Sequence, residues 1–230
     1  MFTGLIREIG RLRGSVPRGG IVRLDIEAPA TAGAAAVGES IAVNGICLTV
    51  TAVKGRVFSV EAAAETKRLT TLRYWKRGER LHLEPALRAG DPLDGHLVQG
   101  HVDGVGTVKK VREAGGSLLV TVAPPDGLAR FLTPKGSVAV DGVSLTVDEG
   151  PFDRGFTVNL IPHSLEWTTF DRKMVGRQVN LEMDVLVKAA RGSGGVKLPG
   201  VAAPAADQEK KKIPWTMDRL LAKGFGRRRS

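Results

Sequence analysis

Apolar and polar residues alternate over short windows along most of this chain, and clusters of Gly, Asp or Pro separate the windows. IVRLDIE (21–27), RVFSVEA (56–62), LLVTVAP (118–124) and FTVNLIP (156–162) all repeat with a period of two. That period marks β-strands with one buried face. Six or so such strands in about ninety residues predict an all-β fold of closed barrels, because closure removes the unpaired edges of an open sheet. A sandwich is the other all-β solution, and the pattern alone does not separate the two.

One of these strands occurs twice. GESIAVNGICLTV (38–50) and KGSVAVDGVSLTV (135–147) agree at Ser40/Ser137, Ala42/Ala139, Val43/Val140, Gly45/Gly142, Leu48/Leu145, Thr49/Thr146 and Val50/Val147. The match extends outward at nearly the same offset. Gly4 and Gly10 correspond to Gly100 and Gly106, ETKRLTTL (65–72) to HSLEWTTF (163–170), and GERLHLE (78–84) to GRQVNLE (176–182). A period this long is a whole small domain rather than a solenoid unit. The expected organisation is therefore two tandem domains, 1–95 and 96–188, followed by a tail at 189–230.

Strand parity sorts the duplicated residues into two faces. Ile46, Leu48 and Val50 point one way, with Val143, Leu145 and Val147 as their counterparts, and these should fill the interior. Cys47 and Thr49, matched by Ser144 and Thr146, then lie on the outer wall. A polar row on one outer wall is ordinarily just solvated. Its preservation in two diverged copies points to a binding surface.

Composition and charge narrow the function classes. The chain has 230 residues and a formal net charge of +10, but residues 191–230 hold ten Lys or Arg against three Asp or Glu. The repeats themselves are nearly balanced, and with one Tyr in the chain there is no aromatic platform for stacked bases. Nucleic-acid recognition is thus poorly supported. The single Cys, a start without the basic and apolar regions of a signal peptide, and no long apolar run predict a soluble cytoplasmic protein with no membrane span. The Gly, Ala, Pro and Lys content of the tail reads as a flexible linker, with a short helix expected at 216–224.

Familiar catalytic signatures fail on spacing. Gly104 and Gly106 lack a third glycine in register, GVSLT around Ser144 lacks the last glycine of a nucleophile elbow, and there is no zinc-binding C-x-x-C or H-E-x-x-H. What remains is a polar cluster at matching places in the repeats and at their junction, where DGHLVQGHVDG carries His96 and His101. With Lys135, Asp141, Ser144 and Thr146, these groups offer donors and acceptors suited to a polar heterocycle.

At these residues the chain resembles the riboflavin synthase alpha-chain family, from Met1 to about Val187. The motifs are MFTG, GESIAVNGICLTV, ETKRLT, GHLVQGHVDG, KGSVAVDGVSLTV, IPHSLE and VNLEMD. The resemblance implies two six-stranded Greek-key β-barrels, a homotrimer with sites between subunits, and no organic cofactor or metal. The implied reaction moves a four-carbon unit between two molecules of 6,7-dimethyl-8-ribityllumazine, giving riboflavin and 5-amino-6-ribitylamino-uracil. It assigns to a first-repeat site Gly4, Leu5, Ile6, Ser40, Cys47, Leu48, Thr49, Glu61, Ala62, Ala63, Ala64, Glu65 and Thr66, with Phe2 near the ring. A second-repeat site would comprise Gly100, His101, Val102, Lys135, Ser144, Leu145, Thr146, Ile161, Pro162, His163 and Ser164. Proton transfer falls to His101, supported by His96, since imidazole both accepts and returns a proton near neutral pH. Ser144 would orient a water or add to the ring, Asp141 and Asp184 would position these groups, and Cys47 would bind or polarise the ligand.

The chain departs from that family after VNLEMD, where DVLVKAARGSGG turns glycine-rich. Glycine costs about 1 kcal/mol per helical position relative to Ala, so no long helix is expected from Asp184 onward, which leaves the trimer open. The alternative function is a non-catalytic lumazine- or flavin-binding carrier or antenna protein. Such a carrier would discard the polar set in at least one repeat, whereas Cys47, His96, His101, Lys135 and Ser144 are all present. A flavin-binding reductase barrel would require a nicotinamide domain, for which the chain has no room.

Overall fold

The computed structural model describes residues 1–148, 152 and 155–192; the helix expected at 216–224 lies outside them. The first repeat contains β1 (Glu8–Arg18), β2 (Ile21–Glu27), β3 (Ser40–Val43), β4 (Ile46–Lys54), β5 (Val57–Ala63) and β6 (Arg80–Pro85). They close into a barrel in the order β1-β2-β5-β4-β3-β6. Strands β3, β4 and β5 follow one another as hairpins and β6 returns beside β3, which is a Greek key.

The second repeat contains β7 (Gly104–Ala114), β8 (Ser117–Ala123), β9 (Ser137–Val140), β10 (Val143–Thr146), β11 (Phe156–Leu160) and β12 (Gln178–Met183). It forms a six-stranded sheet of equivalent order, β10-β9-β12-β7-β8-β11, instead of the second closed barrel the sequence predicts. Among the described residues, the isolated bridge Val147–Val158 and the Asp148 N–H donating to the Thr157 carbonyl at 2.9 Å are what join the end of β10 to β11. The reason lies in strand length. β4 runs for nine residues and pairs with β5 from Thr49 to Lys54, whereas β10 stops after four.

The architecture is mostly β rather than all-β, because four short helices join the strands: α1 (Pro29–Ala34), α2 (Ala64–Leu69), α3 (Pro162–Glu166) and α4 (Val185–Gly192). The last begins with the Asp184 carboxylate accepting the Leu186 N–H at 2.8 Å, a side-chain cap at the helix start. It continues through residues assigned from sequence to the tail, and it is only eight residues long. Among the described residues, no helix is long and apolar enough to cross a membrane.

Each repeat has its own apolar core. Leu24, Ile26, Phe58, Val60, Leu81 and Leu83 are fully buried in the first, and Val120, Val122, Val158, Leu160 and Leu181 in the second. The duplicated strands behave as their parity predicts. Ile46, Leu48, Val50, Val143, Leu145 and Val147 are buried, while Thr49 and Thr146 are exposed and Cys47 and Ser144 half-buried.

The repeats meet at their duplicated hairpins. Asn44-Gly45 and Asp141-Gly142 have positive φ at both central residues, as type I′ turns require. A Cβ on Gly45 would lie 2.7 Å from the Gly142 nitrogen, and one on Gly142 would lie 2.7 Å from the Gly45 nitrogen, so the two tips touch backbone to backbone.

Polar side chains then cross the junction in matched pairs. From β6, His82 bonds the Asp141 carbonyl through Nδ1 at 2.9 Å and accepts the Thr169 N–H at Nε2 at 2.8 Å. From β12, Asn180 donates to the Asn44 carbonyl at 2.8 Å and accepts the Thr71 N–H at 2.8 Å. Because Nε2 of His82 receives an N–H, its proton sits on Nδ1. Burial lowers the His82 pKa to about 3, so the ring is neutral in the fold.

Candidate active site

The outer walls of β4 and β10 are where the predicted polar residues gather, and each wall is completed by a segment from the other repeat. The Gly4 carbonyl accepts the Ser144 N–H at 2.8 Å, and the Gly100 carbonyl accepts the Cys47 N–H at 2.9 Å. Both glycines have positive φ, and a Cβ on either would come within 2.6 Å of the facing Cβ, Ser144 for Gly4 and Cys47 for Gly100. Only glycine allows so close a seat. Residues 4–6 therefore join the second repeat's wall and residues 100–102 the first repeat's, the reverse of the grouping drawn from sequence. Packing agrees, since Ile6 lies against the second core and Val102 against the first.

A cavity of about 380 Å³ opens on the second wall, lined by Gly4, Leu5, Ile6, Arg7, Val143, Ser144, His163, Ser164, Trp167 and Thr168. It unites Gly4, Leu5 and Ile6, grouped from sequence with the first repeat, with Ser144, His163 and Ser164 of the second, and adds Arg7, Val143, Trp167 and Thr168. Its rim is organised by the HSLEWTTF segment. The Thr168 hydroxyl donates to the Ser164 carbonyl at 2.7 Å and accepts the Phe170 N–H, as the Thr70 hydroxyl does with the Thr66 carbonyl and the Leu72 N–H in the first repeat.

His96 stands behind Ser144, with Nδ1 and the serine Oγ 2.7 Å apart. Its Nε2 is buried without a hydrogen-bond partner among the described residues. Burial holds the ring below the ordinary histidine range, opposed by the Asp184 carboxylate, so His96 is neutral at pH 7. Nδ1 and the serine Oγ share one hydrogen bond whose direction follows the ring tautomer, and that bond holds the Ser144 hydroxyl in place. Asp184 thus combines a helix cap with a charge that acts on His96.

The remaining predicted residues are spread over the core, the strand ends and the helix starts. Phe2 is fully buried and pairs with Val98 through reciprocal backbone bonds of 2.7 and 3.1 Å, so its ring is core between the walls. Ala62 and Leu145 are also buried, and only their backbones are available to a ligand. Glu61, Ala63, Ala64 and Glu65 are exposed at the end of β5 and the start of α2, with Thr66 half-buried beside them. Arg68 pairs with Glu65 at 2.7 Å and holds its carboxyl below the usual range. Ser40 pairs with Thr49 across β3 and β4. Ile161, Pro162 and His163 are exposed at the entry to α3.

Asp141 does not line the Ser144 cavity. It is buried at the hairpin tip, where its carboxylate accepts the Asn180 N–H at 2.8 Å and meets Arg177 at 3.1 Å. Burial pushes its pKa up to about 6 in spite of that guanidinium. Lys135 and His101 are exposed. Lys135 has φ +58, at the position where the first repeat has Gly38 with φ +94. Holding a non-glycine residue there costs about 1–2 kcal/mol, and the same backbone bond is kept in both copies, Lys135 N–H to Val147 and Gly38 N–H to Val50. The Lys135 ammonium lies 3.5 Å from the Asp148 carboxylate.

Two further residues escaped the sequence reading. Glu84 accepts the Thr3 N–H and hydroxyl, both at 2.7 Å, and the Gly4 N–H at 2.9 Å. Glu182 accepts the N–H groups of Gln99, Gly100 and His101 at 2.6, 2.9 and 3.0 Å. Their signal was present in the shared final Glu of GERLHLE and GRQVNLE, which ends a strand otherwise read only for its apolar face.

Comparison with known proteins places this geometry. The Lumazine binding domain family matches twice, over residues 3–86 and 99–184. The riboflavin synthase of Brucella abortus is 44% identical over 195 residues, covering 83% of this chain and 96% of that protein. Its counterparts in Mycobacterium bovis and Bacillus subtilis are 41% identical over 191 residues and 37% over 188, covering 82% of this chain and 95% and 87% of theirs. Crystal structures of LumP complexed with riboflavin and with 6,7-dimethyl-8-(1'-D-ribityl) lumazine superpose with TM-scores of 0.73 and 0.71. Each covers 80% of this chain and 99% of LumP, at 24% and 23% identity, a likeness of fold. The chain belongs to the riboflavin synthase family and carries its two tandem lumazine-binding domains.

Proposed function

We infer that this chain is a riboflavin synthase, a transferase that moves a four-carbon unit between two molecules of 6,7-dimethyl-8-ribityllumazine. One molecule becomes riboflavin and the other 5-amino-6-ribitylamino-uracil. The observation that carries the reading is the pair of cross-built walls. A dismutation of two identical molecules needs two similar sites with unlike chemistry, and here Cys47 occupies in one the position that Ser144, backed by His96, occupies in the other. Relatives 37–44% identical over four-fifths of the chain give the same answer.

His101 is the group that takes a proton from the C7 methyl and returns one, and the lumazine ring itself stabilises the carbanion. Lys135 and Thr146 contact the ligand on the second wall, with Ile161, Pro162, His163 and Ser164 around its ribityl chain. Glu61 to Thr66 serve the first wall in the same way. Cys47 binds or polarises the first lumazine, and the Asp184 carboxylate acts on His96 behind the second wall, whereas Asp141 serves the junction with Asn180 and Arg177.

Both walls leave reactive residues exposed: Thr49, Thr146, Lys135 and His101 all face outward. A bimolecular step needs the two rings held together, an arrangement that contributes roughly 7 to 11 kcal/mol when alignment is good. A homotrimer in which the first wall of one subunit covers the second wall of the next would hold them so, in a reducing cytoplasm that keeps Cys47 free. Light scattering together with activity across protein concentration tests this arrangement, and a fully active monomer would refute it.

The function itself is tested by incubating the purified chain with 6,7-dimethyl-8-ribityllumazine as sole substrate. Riboflavin should accumulate with two lumazines consumed for each one formed. Tight binding without riboflavin would make the chain a carrier.

A further inference from the structure

Each repeat begins with a short segment that reaches over to the facing repeat, and a buried carboxylate from the last strand of the lending repeat grips that segment at its base. Glu84 of β6 holds Thr3 and Gly4, whose carbonyl then seats on Ser144. Glu182 of β12 holds Gln99, Gly100 and His101, and the Gly100 carbonyl seats on Cys47. We propose that Glu84 and Glu182 are positioning residues for the two sites, each fixing the segment that its own repeat lends to the other. The proposal rests on the riboflavin synthase reading and adds to it the residues that register the two half-sites.

The chemistry of the grip supports a geometric role. Both carboxylates are almost wholly buried, at 4% and 3% exposure, and burial raises both pKa values while the N–H bonds oppose the rise. An apolar side chain would fill that space without any cost of desolvation. A carboxylate there supplies directed acceptors, and every one of its bonds goes to the lent segment. Neither segment has a strand partner for those N–H groups, since Phe2 and Val98 make only an isolated bridge.

The two grips also differ in a way that matches the chemistry. Glu84 takes two backbone N–H groups and the Thr3 hydroxyl, which in turn accepts the Leu5 N–H at 3.2 Å. Glu182 takes three consecutive backbone N–H groups, and the third is that of His101. Glu182 therefore fixes the main chain of the residue assigned to proton transfer as well as the seat on Cys47.

Cys47 is the single thiol of the chain, so its reactivity reports on the seat of Gly100 alone. In the full-length protein, Glu182→Gln turns an amide NH2 towards N–H donors and loosens residues 99–101. Alkylation of Cys47 by iodoacetamide should then accelerate about tenfold or more, the scale of losing a hydrogen bond to a charged group. Glu84→Gln should leave that rate unchanged while slowing riboflavin formation. Equal alkylation rates in the parent chain and both variants would overturn the proposal, as would equal acceleration in both variants.

A second measurement needs no variant. In the native chain the amides of Gly4, Gln99, Gly100 and His101 should exchange slowly with solvent, and exchange at free-peptide rates would refute the grip. Neither readout depends on turnover. A chain that made no riboflavin would still show the grip, and the two failures remain distinct.

Discussion

The two repeats share strand order, hairpin register and type I′ turns, yet they diverge at matched positions of the walls and their junction. Among these, Cys47 corresponds to Ser144, Gly38 to Lys135, Asn44 to Asp141 and His82 to Asn180. Gly38 sits relaxed where Lys135 is strained. Asn44 accepts the His82 N–H with its side chain, and Asp141 accepts the Asn180 N–H in the same place while also recruiting Arg177. Asn180 crosses the junction with an amide, and His82 makes the matching bonds with a ring. The backbone duplication explains why both repeats offer an outer wall of the same build. Substitutions at fixed backbone positions give the two walls unlike chemistry.

The sharpest way to break this comparison is at His101, which has no histidine counterpart at the start of the first repeat. His101→Ala should slow turnover by about a hundredfold or more, the usual contribution of a positioned acid–base group, with ligand affinity changed little. Unchanged turnover in a steady-state assay would remove it from the mechanism.

Next in size are the hairpin tips, where the comparison predicts equality. Gly45→Ala and Gly142→Ala each drive a Cβ to 2.7 Å from backbone nitrogen at a positive φ. Each should cost about 2–3 kcal/mol of stability in denaturant unfolding, typical of backbone strain combined with a clash that cannot relax. A large difference between the two would contradict the matched packing of the tips.

Smaller effects come from titration at the junction. His82 is depressed to about 3, so the stability it contributes is complete above its unfolded value of 6.5 and is lost as pH falls towards 3. Asp141 is raised to about 6 from 3.8, so its contribution is complete below 3.8 and is lost as pH rises through 6. Between about pH 4 and 6 the two slopes oppose each other. His82→Asn, which copies Asn180, should leave the protein relatively more stable in acid. Asp141→Asn, which copies Asn44, should steepen the acid loss and improve stability above pH 6 relative to the parent. Melting temperatures measured from pH 4 to 8 check both, and parallel curves for all three proteins would refute the assignment.

The smallest stability effect is expected at Lys135. Replacing it with Gly restores the residue of the first repeat and relieves strain, offset by the greater freedom of glycine in the unfolded chain. Stability should stay within about 1 kcal/mol while turnover falls. Full turnover would leave the strain without a functional reason.

Much of this arrangement was legible in the sequence because it is local. IVRLDIE is β2 residue for residue, and strict alternation around Cys47 and Ser144 sorted interior from wall. The Asn-Gly and Asp-Gly pairs mark their turns through the positive φ that type I′ geometry demands. What the chain did not disclose is non-local. That Gly4 belongs with Ser144, and Gly100 with Cys47, follows from a crossing of segments that no period encodes, although two matched glycines did hint at close backbone approach. Glu84 and Glu182 sat in the repeat but looked like ordinary strand-end acids, because burial is a property of the crossing. The open seam of the second sheet depends on how far β10 extends, and a four-residue strand is indistinguishable from the start of a longer one.

The central claim is that one chain carries two lumazine sites, each built from both repeats. Equilibrium titration with 6,7-dimethyl-8-ribityllumazine in the His101→Ala protein, where slow turnover leaves the ligand intact, tests it directly. Two equivalents should bind per chain, falling to one when Gly4→Ala pushes a Cβ into Ser144. A single equivalent at the outset, or two equivalents retained after Gly4→Ala, would contradict the account.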